Sequence, residues 1–459
     1  MRTPLLLALA GSLCCHYAHS ADWPQYLGPN RDSKSSEQGI ARAWPETGPK
    51  ELWSVPVGKG YGGPAIQSGK VYLLDRDDEV GDILRCWDLN SGEELWKFAY
   101  DAAGTVMFPG SRSVPTIEGG FIYTCGHNGD LYCIDLGTHK PVWHANVWTD
   151  YGGKPPKTDG GGFRPGAAEP GAFPIWAITQ CPLIYGDLLI VASQAPEAGV
   201  VAYAKKNGEV VWKTPSLGYV GYVSPSIAKV HGKDHIVMVT PSTNPFSRSS
   251  PDENKLGTVV GLDPATGKLL WTYDKWECHV SVPSAVDAGD NKILVAGGYE
   301  LGATMIQIDK AADGSFSAKE VFTTKQFGDQ TKAPLLHEDH FYAEYGTNSR
   351  RDGLVCMDMK GEVLWKTGRK PDFNKGSMIL VDGLILATDG SMGLYLIEPD
   401  PEGYKQLASA RVLAEVEGPE GTDMASRVGG RTQNWAPLAL SDGKLLVRDQ
   451  KVMKCLAVK

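Results

Sequence analysis

A repeated unit occurs along the chain, and in each copy a short apolar stretch begins at a Pro or Ser. Eight residues lie two or three positions before such a Pro or Ser. They are Tyr61, Arg112, Gln180, Tyr222, Lys332, Lys375, Asn434 and Trp435. Three cations among aromatic and amide side chains could hold a planar polyanion by ion pairing and stacking. The same set could hold a peptide or a glycan, or could line a solvated funnel. These eight residues are therefore the candidate ligand-binding set.

Carboxylates near the same end of the repeats form no recognisable catalytic pattern. Glu169, Glu300, Asp329 and Glu344 are isolated along the chain, and we expect such lone carboxylates to be solvated. No cysteine and histidine spacing matches a zinc site, and no C-x-x-C-H motif offers a haem. The sequence predicts no catalytic residue and no metal ligand.

Two long connections are a second place where binding groups could lie. Residues 146–179 are rich in Gly and carry Arg164 and Trp176, and residues 241–255 carry Arg248. Loops held by a rigid scaffold often carry function, although long polar loops can also vary without a role. We expect both connections to lie on the same face of the fold, and with Glu300 these residues form the candidate binding set of that face.

The repeat that must position these residues is clearest at 84–96, which reads as a strand, a tight Asp/Gly turn and a strand ending in Trp. Copies occur at 131–143, 200–212, 259–271 and 354–365, with degenerate copies near 306 and 394. The apolar stretches ahead of these copies begin at Pro64, Pro115, Pro182, Pro225, Pro283, Pro334, Ser377 and Pro437. Eight starts with four short strands each predict an all-β fold, an eight-bladed β-propeller of four-stranded antiparallel blades.

The two ends of the chain predict how the ring closes. A strand ends at Trp53 with no strands before it, whereas residues 445–458 supply three strands and lack the final Trp strand. We therefore expect the N-terminal strand to complete the last blade and remove an exposed sheet edge. The predicted organisation is a signal peptide over 1–20, an N-terminal extended segment over 21–52 and the propeller over 53–459.

Tryptophans and cysteines recur at fixed repeat positions, which indicates packing rather than chemistry. The residues expected to dock between blades are Trp53, Trp96, Trp143, Trp212, Trp271 and Trp365. Cys86, Cys133, Cys356 and Cys455 share one position and are expected to be small buried hydrophobes. A hairpin centred on Asn128-Gly129 would place Cys125 opposite Tyr132, on the other face from Cys133.

Composition and the N-terminus limit the compartment and the partners. The 459 residues carry 45 basic and 54 acidic side chains, a formal charge of −9, which argues against nucleic acid as the main partner. Arg2, a short apolar run and Ala18-His19-Ser20 are typical of a secretory signal peptide. The sequence therefore predicts a periplasmic or secreted protein, with no membrane span in the mature chain.

The repeats resemble the pyrroloquinoline-quinone (PQQ) propeller motif, and residues 260–271 are the best copy. Together with Trp23-Pro24-Gln25-Tyr26 and Trp435-Ala436-Pro437, they resemble secreted PQQ-binding-like β-propeller repeat proteins. This family is related in fold to quinoprotein alcohol dehydrogenases and to the propeller lipoprotein of outer-membrane assembly. The resemblance implies the fold over essentially the whole mature chain and says little about activity.

Three functions follow from this resemblance and from the residues. The first is a non-catalytic binding or scaffold module of the cell envelope, whose partner is an envelope protein, a small molecule or a glycan. The second is a quinoprotein oxidoreductase similar to alcohol dehydrogenases, which would need PQQ and calcium. Relatives with this activity often have a vicinal Cys-Cys disulfide, which this chain lacks beyond residue 20. The third is a carbohydrate-binding propeller.

Overall fold

Eight antiparallel sheets surround a central axis, which confirms the predicted all-β, eight-bladed propeller. The computed structural model describes residues 22–106, 108–156, 171–241, 257–278, 280–346, 350–415 and 432–459. The predicted signal peptide, 1–20, lies outside them. In these ranges the one helix is a 3-10 turn, Thr149–Tyr151, and no helix is long and apolar enough to cross a membrane.

Each blade is built from four strands that follow one another from the axis outward. Blade 1 contains β3 (Ala65–Gln67), β4 (Lys70–Asp77), β5 (Gly81–Asp88) and β6 (Glu94–Asp101). Blade 2 contains β7 (Thr116–Glu118), β8 (Phe121–Cys125), β9 (Asp130–Asp135) and β10 (Lys140–Asn146). Blade 3 contains β11 (Leu183–Tyr185), β12 (Leu188–Val191), β13 (Val201–Ala204) and β14 (Val210–Lys213). Blade 4 contains β15 (Ser226–Val230), β16 (Lys233–Thr240), β17 (Gly257–Leu262) and β18 (Leu269–Trp276).

The second half of the ring repeats this order. Blade 5 contains β19 (Val286–Asp287), β20 (Lys292–Gly297), β21 (Gly302–Lys310) and β22 (Phe316–Thr324). Blade 6 contains β23 (Leu335–His337), β24 (His340–Gly346), β25 (Arg351–Asp358) and β26 (Val363–Lys366). Blade 7 contains β27 (Met378–Val381), β28 (Leu384–Thr388), β29 (Gly393–Glu398) and β30 (Lys405–Arg411). Blade 8 contains β31 (Ala439–Ser441), β32 (Lys444–Arg448) and β33 (Val452–Ala457).

The fourth strand of blade 8 comes from the other end of the chain, as predicted. β2 (Lys50–Pro56) pairs antiparallel with β33, and Trp53 lies opposite Cys455. We call the face that carries the links between blades, and the links between second and third strands, the upper face. Both long connections are links of these two kinds, because one follows β10 and the other follows β16.

Five of the six recurring tryptophans on the outermost strands contact the next blade. The indole of Trp212 donates to the carbonyl of Pro264 at 3.2 Å, and its ring covers Gly267. Corresponding indole N–H bonds run from Trp53 to Leu89, from Trp143 to Lys205 and from Trp365 to Asp400. Trp96 instead stacks on His139 of the next blade at 4.4 Å. Trp271 differs, since its indole donates to His235 within its own blade.

The cysteines at the shared repeat position lie directly opposite tryptophans. Cys86 pairs with Trp96, Cys133 with Trp143 and Cys356 with Trp365, so a small side chain faces each indole. All seven described cysteines are buried.

The predicted register of Cys125 is wrong by one residue. The structure pairs Cys125 with Leu131 and Tyr123 with Cys133, so the two cysteines lie on the same sheet face. The reason is the turn, which spans Gly126 to Gly129 and is closed by a hydrogen bond from the Gly126 N–H to the Asp130 carbonyl.

Residues 22–40 fill the central channel, and we call them the channel plug. The plug enters from the lower face, where the Trp23 backbone exchanges two hydrogen bonds with Ile66 of β3. It turns at residues 26–31 and returns as β1 (Lys34–Ser35), which adds a parallel strand to the inner edge of β27. Glu37 then accepts a hydrogen bond from the Gly443 N–H of blade 8. The channel is therefore occupied by the protein's own chain.

Arg31 attaches the turn of the plug to the ring. Its guanidinium donates to the carbonyls of Pro182 at 3.1 Å and Pro225 at 3.2 Å, just ahead of the inner strands of blades 3 and 4. A forked donor can reach both carbonyls at once, which a lysine ammonium cannot do in the same geometry. The plug thereby joins the inner edges of the neighbouring blades 3 and 4.

Replacing Arg31 with lysine is expected to lower the free energy of unfolding by about 1.5–3 kcal/mol, because carbonyls bonded to a charged donor lose it. Arg42→Lys is the matched control, since the Arg42 side chain is 54% exposed and its loss should cost less than about 0.5 kcal/mol. Urea denaturation of both variants measures the difference. Equal losses would show that the Arg31 bridge does not hold the plug.

Candidate functional site

Three aromatic rings meet at the upper mouth of the channel. Tyr61 and Trp435 stack with ring centroids 5.4 Å apart, and Phe108 lies 6.0 Å from Trp435 and 6.4 Å from Tyr61. The Tyr61 hydroxyl donates to Gln433 at 2.7 Å, which holds this ring in place. All three rings are partly exposed, so they offer an apolar surface at the mouth.

Two cations flank these rings. The Arg112 guanidinium lies 5.3 Å from the centre of the Tyr61 ring, and the Lys375 ammonium lies 4.7 Å from that of Trp435. Arg112 also donates to the carbonyls of Gly110 and Phe108, and burial lowers its pKa to about 10. The pKa of Lys375 is lowered by burial and by the nearby Arg351. The mouth is thus an aromatic surface with positive charge on two sides.

The backbone at this mouth is strained at two bulky residues. Phe108 and Lys375 have φ angles of 60° and 65°, a left-handed conformation that side chains other than Gly rarely adopt. Each such residue costs about 1–3 kcal/mol unless its surroundings hold it there. Lys375 is held from both sides, because Asn374 donates its N–H to the Asp389 carbonyl and Gly376 donates to the Glu344 carboxylate.

A charged triad lies inside the channel. Asp329, Lys332 and Glu344 are 1%, 8% and 1% exposed. The Lys332 ammonium donates to the Trp435 carbonyl at 2.7 Å, so the triad supports the floor of the mouth. Asp329 accepts the backbone N–H groups of Thr331 and Lys332, both at 2.9 Å. The expectation that Asp329 and Glu344 are solvated is wrong, because the plug and the inner strands exclude water from them.

Burial governs the protonation of this triad. It raises the pKa of Asp329 to about 6 and lowers that of Lys332 to about 8, while the pKa of Glu344 is raised well above its usual range by burial and by Asp329. A small cavity between the triad and the plug residues Leu27 and Ser33 has room for about one water molecule. Glu344 Oε1 has no hydrogen-bond partner among the described residues.

The other predicted residues are divided between the channel and the upper face. Gln180 and Asn434 are buried. Tyr222 is buried against Trp176, with ring centroids 5.0 Å apart, so one side of Trp176 is covered. Glu300 is exposed beside Tyr299, which is 44% exposed. Arg164, Arg248 and Glu169 lie outside the described residues.

The structure therefore brings together four members of the predicted set, Tyr61, Arg112, Lys375 and Trp435, and places Lys332 directly below them. Phe108 and the two carboxylates of the triad were missed as members of this site. A signal for Phe108 is its place ahead of Pro109-Gly110, a turn that precedes Arg112. A signal for the triad is the three-residue spacing of Asp329 and Lys332.

The described residues do not fit a calcium-bound quinone. Calcium takes six to eight oxygen ligands, usually including several carboxylates, and no group of three or more Asp, Glu, His or Cys side chains in the described ranges could hold a metal ion. A polyanionic quinone needs several available cations, whereas Arg112 and Lys332 donate to backbone carbonyls.

Comparison with known protein families accounts for the fold. The model of the PQQ_2 family, described as outer membrane protein assembly factor BamB, matches residues 102–214 and 255–431. These ranges cover more than half of the chain. The chain belongs to the PQQ_2 family.

Curated relatives of this PQQ_2 protein include two dehydrogenases. The quinoprotein ethanol dehydrogenase of Pseudomonas aeruginosa is 26% identical over 208 residues, which are 44% of this chain and 27% of that protein. The quinohemoprotein alcohol dehydrogenase of Comamonas testosteroni is 21% identical over 267 residues, 48% of this chain and 34% of the relative. The match thus spans about a quarter to a third of the length of these relatives.

Solved structures show the same propeller fold. BamB from Moraxella catarrhalis is 13% identical, with a TM-score of 0.53, and the alignment covers 89% of this chain and 99% of that one. The quinohemoprotein alcohol dehydrogenase from Comamonas testosteroni is also 13% identical, with a TM-score of 0.60 and coverage of 95% and 80%. At these identities the likeness establishes the fold of this PQQ_2 protein and leaves its activity open.

Proposed function

We propose that this protein is an exported, non-catalytic binding or scaffold module of the cell envelope, with a protein partner at its upper face. The observation that carries the proposal is that four described charged groups at the channel mouth are hydrogen-bonded to the protein's own backbone. Asp329 and Glu344 are sealed from solvent and accept backbone N–H groups, so neither is placed to move a proton on a bound substrate. Arg112 and Lys332 are bonded to carbonyls of the protein itself.

The upper face offers groups that suit a protein partner. Tyr219 and Tyr299 are 37% and 44% exposed, in a link between blades and in a link between second and third strands. Exposed tyrosines are enriched in protein interfaces, where the ring supplies contact area and the hydroxyl a hydrogen bond. The family description, outer membrane protein assembly factor, supports a role in the envelope, as does the predicted signal peptide.

The second candidate is a PQQ- and calcium-dependent oxidoreductase, which the curated dehydrogenase relatives favour. We expect neither saturable binding nor turnover when the purified protein is titrated with PQQ and calcium by calorimetry and assayed for dye-linked alcohol oxidation. A quinohemoprotein alcohol dehydrogenase serves as the positive control. Saturable binding with turnover would replace our proposal by the oxidoreductase.

The partner is tested by site-specific photocrosslinking in the envelope. A crosslinking residue at Tyr299 should capture a discrete envelope protein. The same residue at Val321 is the matched control, because Val321 is 47% exposed but lies on the outermost strand of blade 5. Equal capture at both positions, or none at Tyr299, would contradict an upper-face partner.

A further inference from the structure

We propose that the channel mouth receives one carboxylate of an acidic segment of the partner polypeptide, with Lys375 as its ion-pair partner and Trp435 and Phe108 as the apolar contact surface. This proposal rests on the proposed function, since it assumes a polypeptide partner at the upper face. It adds the chemistry by which that partner is recognised.

The first reason for this proposal is that the cations next to Lys375 have carboxylate partners, whereas Lys375 has none among the described residues. Its neighbour Arg351 pairs with Asp372, and Arg350 pairs with Asp352. Lys375 itself forms no ion pair within the part of the chain that the structure describes, and its contact is the face of Trp435. Burial and the nearby Arg351 lower the pKa of Lys375, and no carboxylate of the described ranges offsets these two effects. An incoming carboxylate would supply the missing negative charge.

The number of cations available at the mouth indicates how many negative charges its ligand carries. Arg112 directs both terminal nitrogens of its guanidinium at backbone carbonyls, and Lys332 is bound below the mouth to the Trp435 carbonyl. Among the charged groups of the mouth that the structure describes, the Lys375 ammonium remains for an external anion. This arrangement suits a single carboxylate rather than a ligand with several negative charges.

The backbone positions that ammonium in advance. Lys375 keeps its left-handed conformation because its two neighbours in the chain donate to Glu344 of β24 and to Asp389 in the link after β28. Strain of this kind, when the surroundings maintain it, is typical of binding sites. A preorganised cation loses little conformational entropy on binding, which favours affinity.

The surrounding surface favours a polypeptide as the source of the carboxylate. The three mouth rings are partly exposed and give apolar contact to the residues on either side of an acidic side chain. Tyr219 and Tyr299 are two further exposed rings on the same face. Since the whole chain carries a formal charge of −9, positive potential at the mouth would direct an acidic segment there rather than elsewhere on the protein.

The test is calorimetry of the purified full chain with two terminally blocked pentapeptides, Ala-Tyr-Glu-Tyr-Ala and its neutral match Ala-Tyr-Gln-Tyr-Ala. We expect the acidic peptide to bind about 10-fold more tightly, a difference that disappears in Lys375→Met. Lys375→Arg should retain the preference. Lys70→Met, an exposed lysine at the lower face, should leave it unchanged. A melting curve of each variant identifies any loss of folding, in which case Lys375→Gln replaces Lys375→Met.

The other outcomes distinguish this proposal from the proposed function. Equal binding of both peptides, or a preference that survives Lys375→Met, would overturn the carboxylate site. Saturable binding of sodium acetate at the same concentrations would overturn a polypeptide source. If crosslinking at Tyr299 persists in either case, the partner remains and this inference alone fails. If the protein with an unchanged Lys375 captures no partner at Tyr299, both the proposed function and this inference fail.

Discussion

Replacing Gly267 with alanine is expected to lower the free energy of unfolding by about 3–4 kcal/mol, compared with about 1 kcal/mol for Gly69→Ala. Both glycines have positive φ angles, 69° and 72°, so an added methyl strains their backbones alike. They differ in what the methyl would meet. A Cβ at Gly267 would lie 2.3 Å from the Trp212 ring, whereas nothing lies within 4 Å of one at Gly69. The difference between the variants therefore isolates the docking of Trp212 on the next blade.

Urea denaturation of both variants measures that difference. The double variant Trp212→Ala with Gly267→Ala provides a further control, because removing the indole also removes the clash. Its loss should be smaller than the sum of the two single losses by more than about 1 kcal/mol. Similar losses for Gly267→Ala and Gly69→Ala, or additive losses in the double variant, would show that blade contact does not depend on this glycine.

Glu344→Gln is expected to raise the free energy of unfolding at pH 8 by about 1–3 kcal/mol. The amide oxygen can accept the Gly376 N–H, as Oε2 does at 2.6 Å, and the amide nitrogen takes the place of Oε1, which has no partner among the described residues. The triad holds two carboxylates and one ammonium. A glutamine cannot ionise, so the variant buries only two opposite charges in the triad, those of Asp329 and Lys332.

The effect should depend on pH with a definite sign. Burial and Asp329 raise the pKa of Glu344, so the folded protein keeps a proton that the unfolded chain releases. Stability is therefore greatest below the ordinary glutamate pKa and falls by up to about 1.4 kcal/mol per pH unit as the pH rises toward the folded pKa. The Glu344→Gln variant lacks this pH-dependent loss of stability. Asp329 and Asp82, whose pKa values burial raises to about 6, keep their own dependence below that pH.

Unfolding curves from pH 5 to pH 8 test this prediction. The gap between Glu344→Gln and the unchanged protein should widen as the pH rises. Glu300→Gln is the control, because Glu300 is exposed in a link of the same face. A gap that is constant with pH, or that narrows, would show that Glu344 carries its charge in the folded protein without cost.

The sequence alone determined the fold, because the features that specify it are local and recur in every blade. One strand, the Asp/Gly turn and the strand that ends in Trp together take about thirteen residues. Asp263 shows how the turn forms. Its carboxylate accepts the N–H groups of Ala265 and Thr266, and a positive φ at Gly267 completes the turn. Ring closure was also predictable, since Trp53 and Cys455 each lacked the partner that their repeat position requires.

Only the tertiary structure decided what fills the channel and how the mouth is charged. The plug has no repeat pattern, and its contacts join Arg31 to Pro225 and Glu37 to Gly443, residues about two hundred and four hundred positions apart. The sequence placed Lys332 in the candidate ligand-binding set and treated Asp329 and Glu344 as lone solvated carboxylates, whereas the folded chain buries all three together. Burial and charge coupling depend on contacts between distant parts of the chain, and a repeat pattern specifies only the blades that make those contacts.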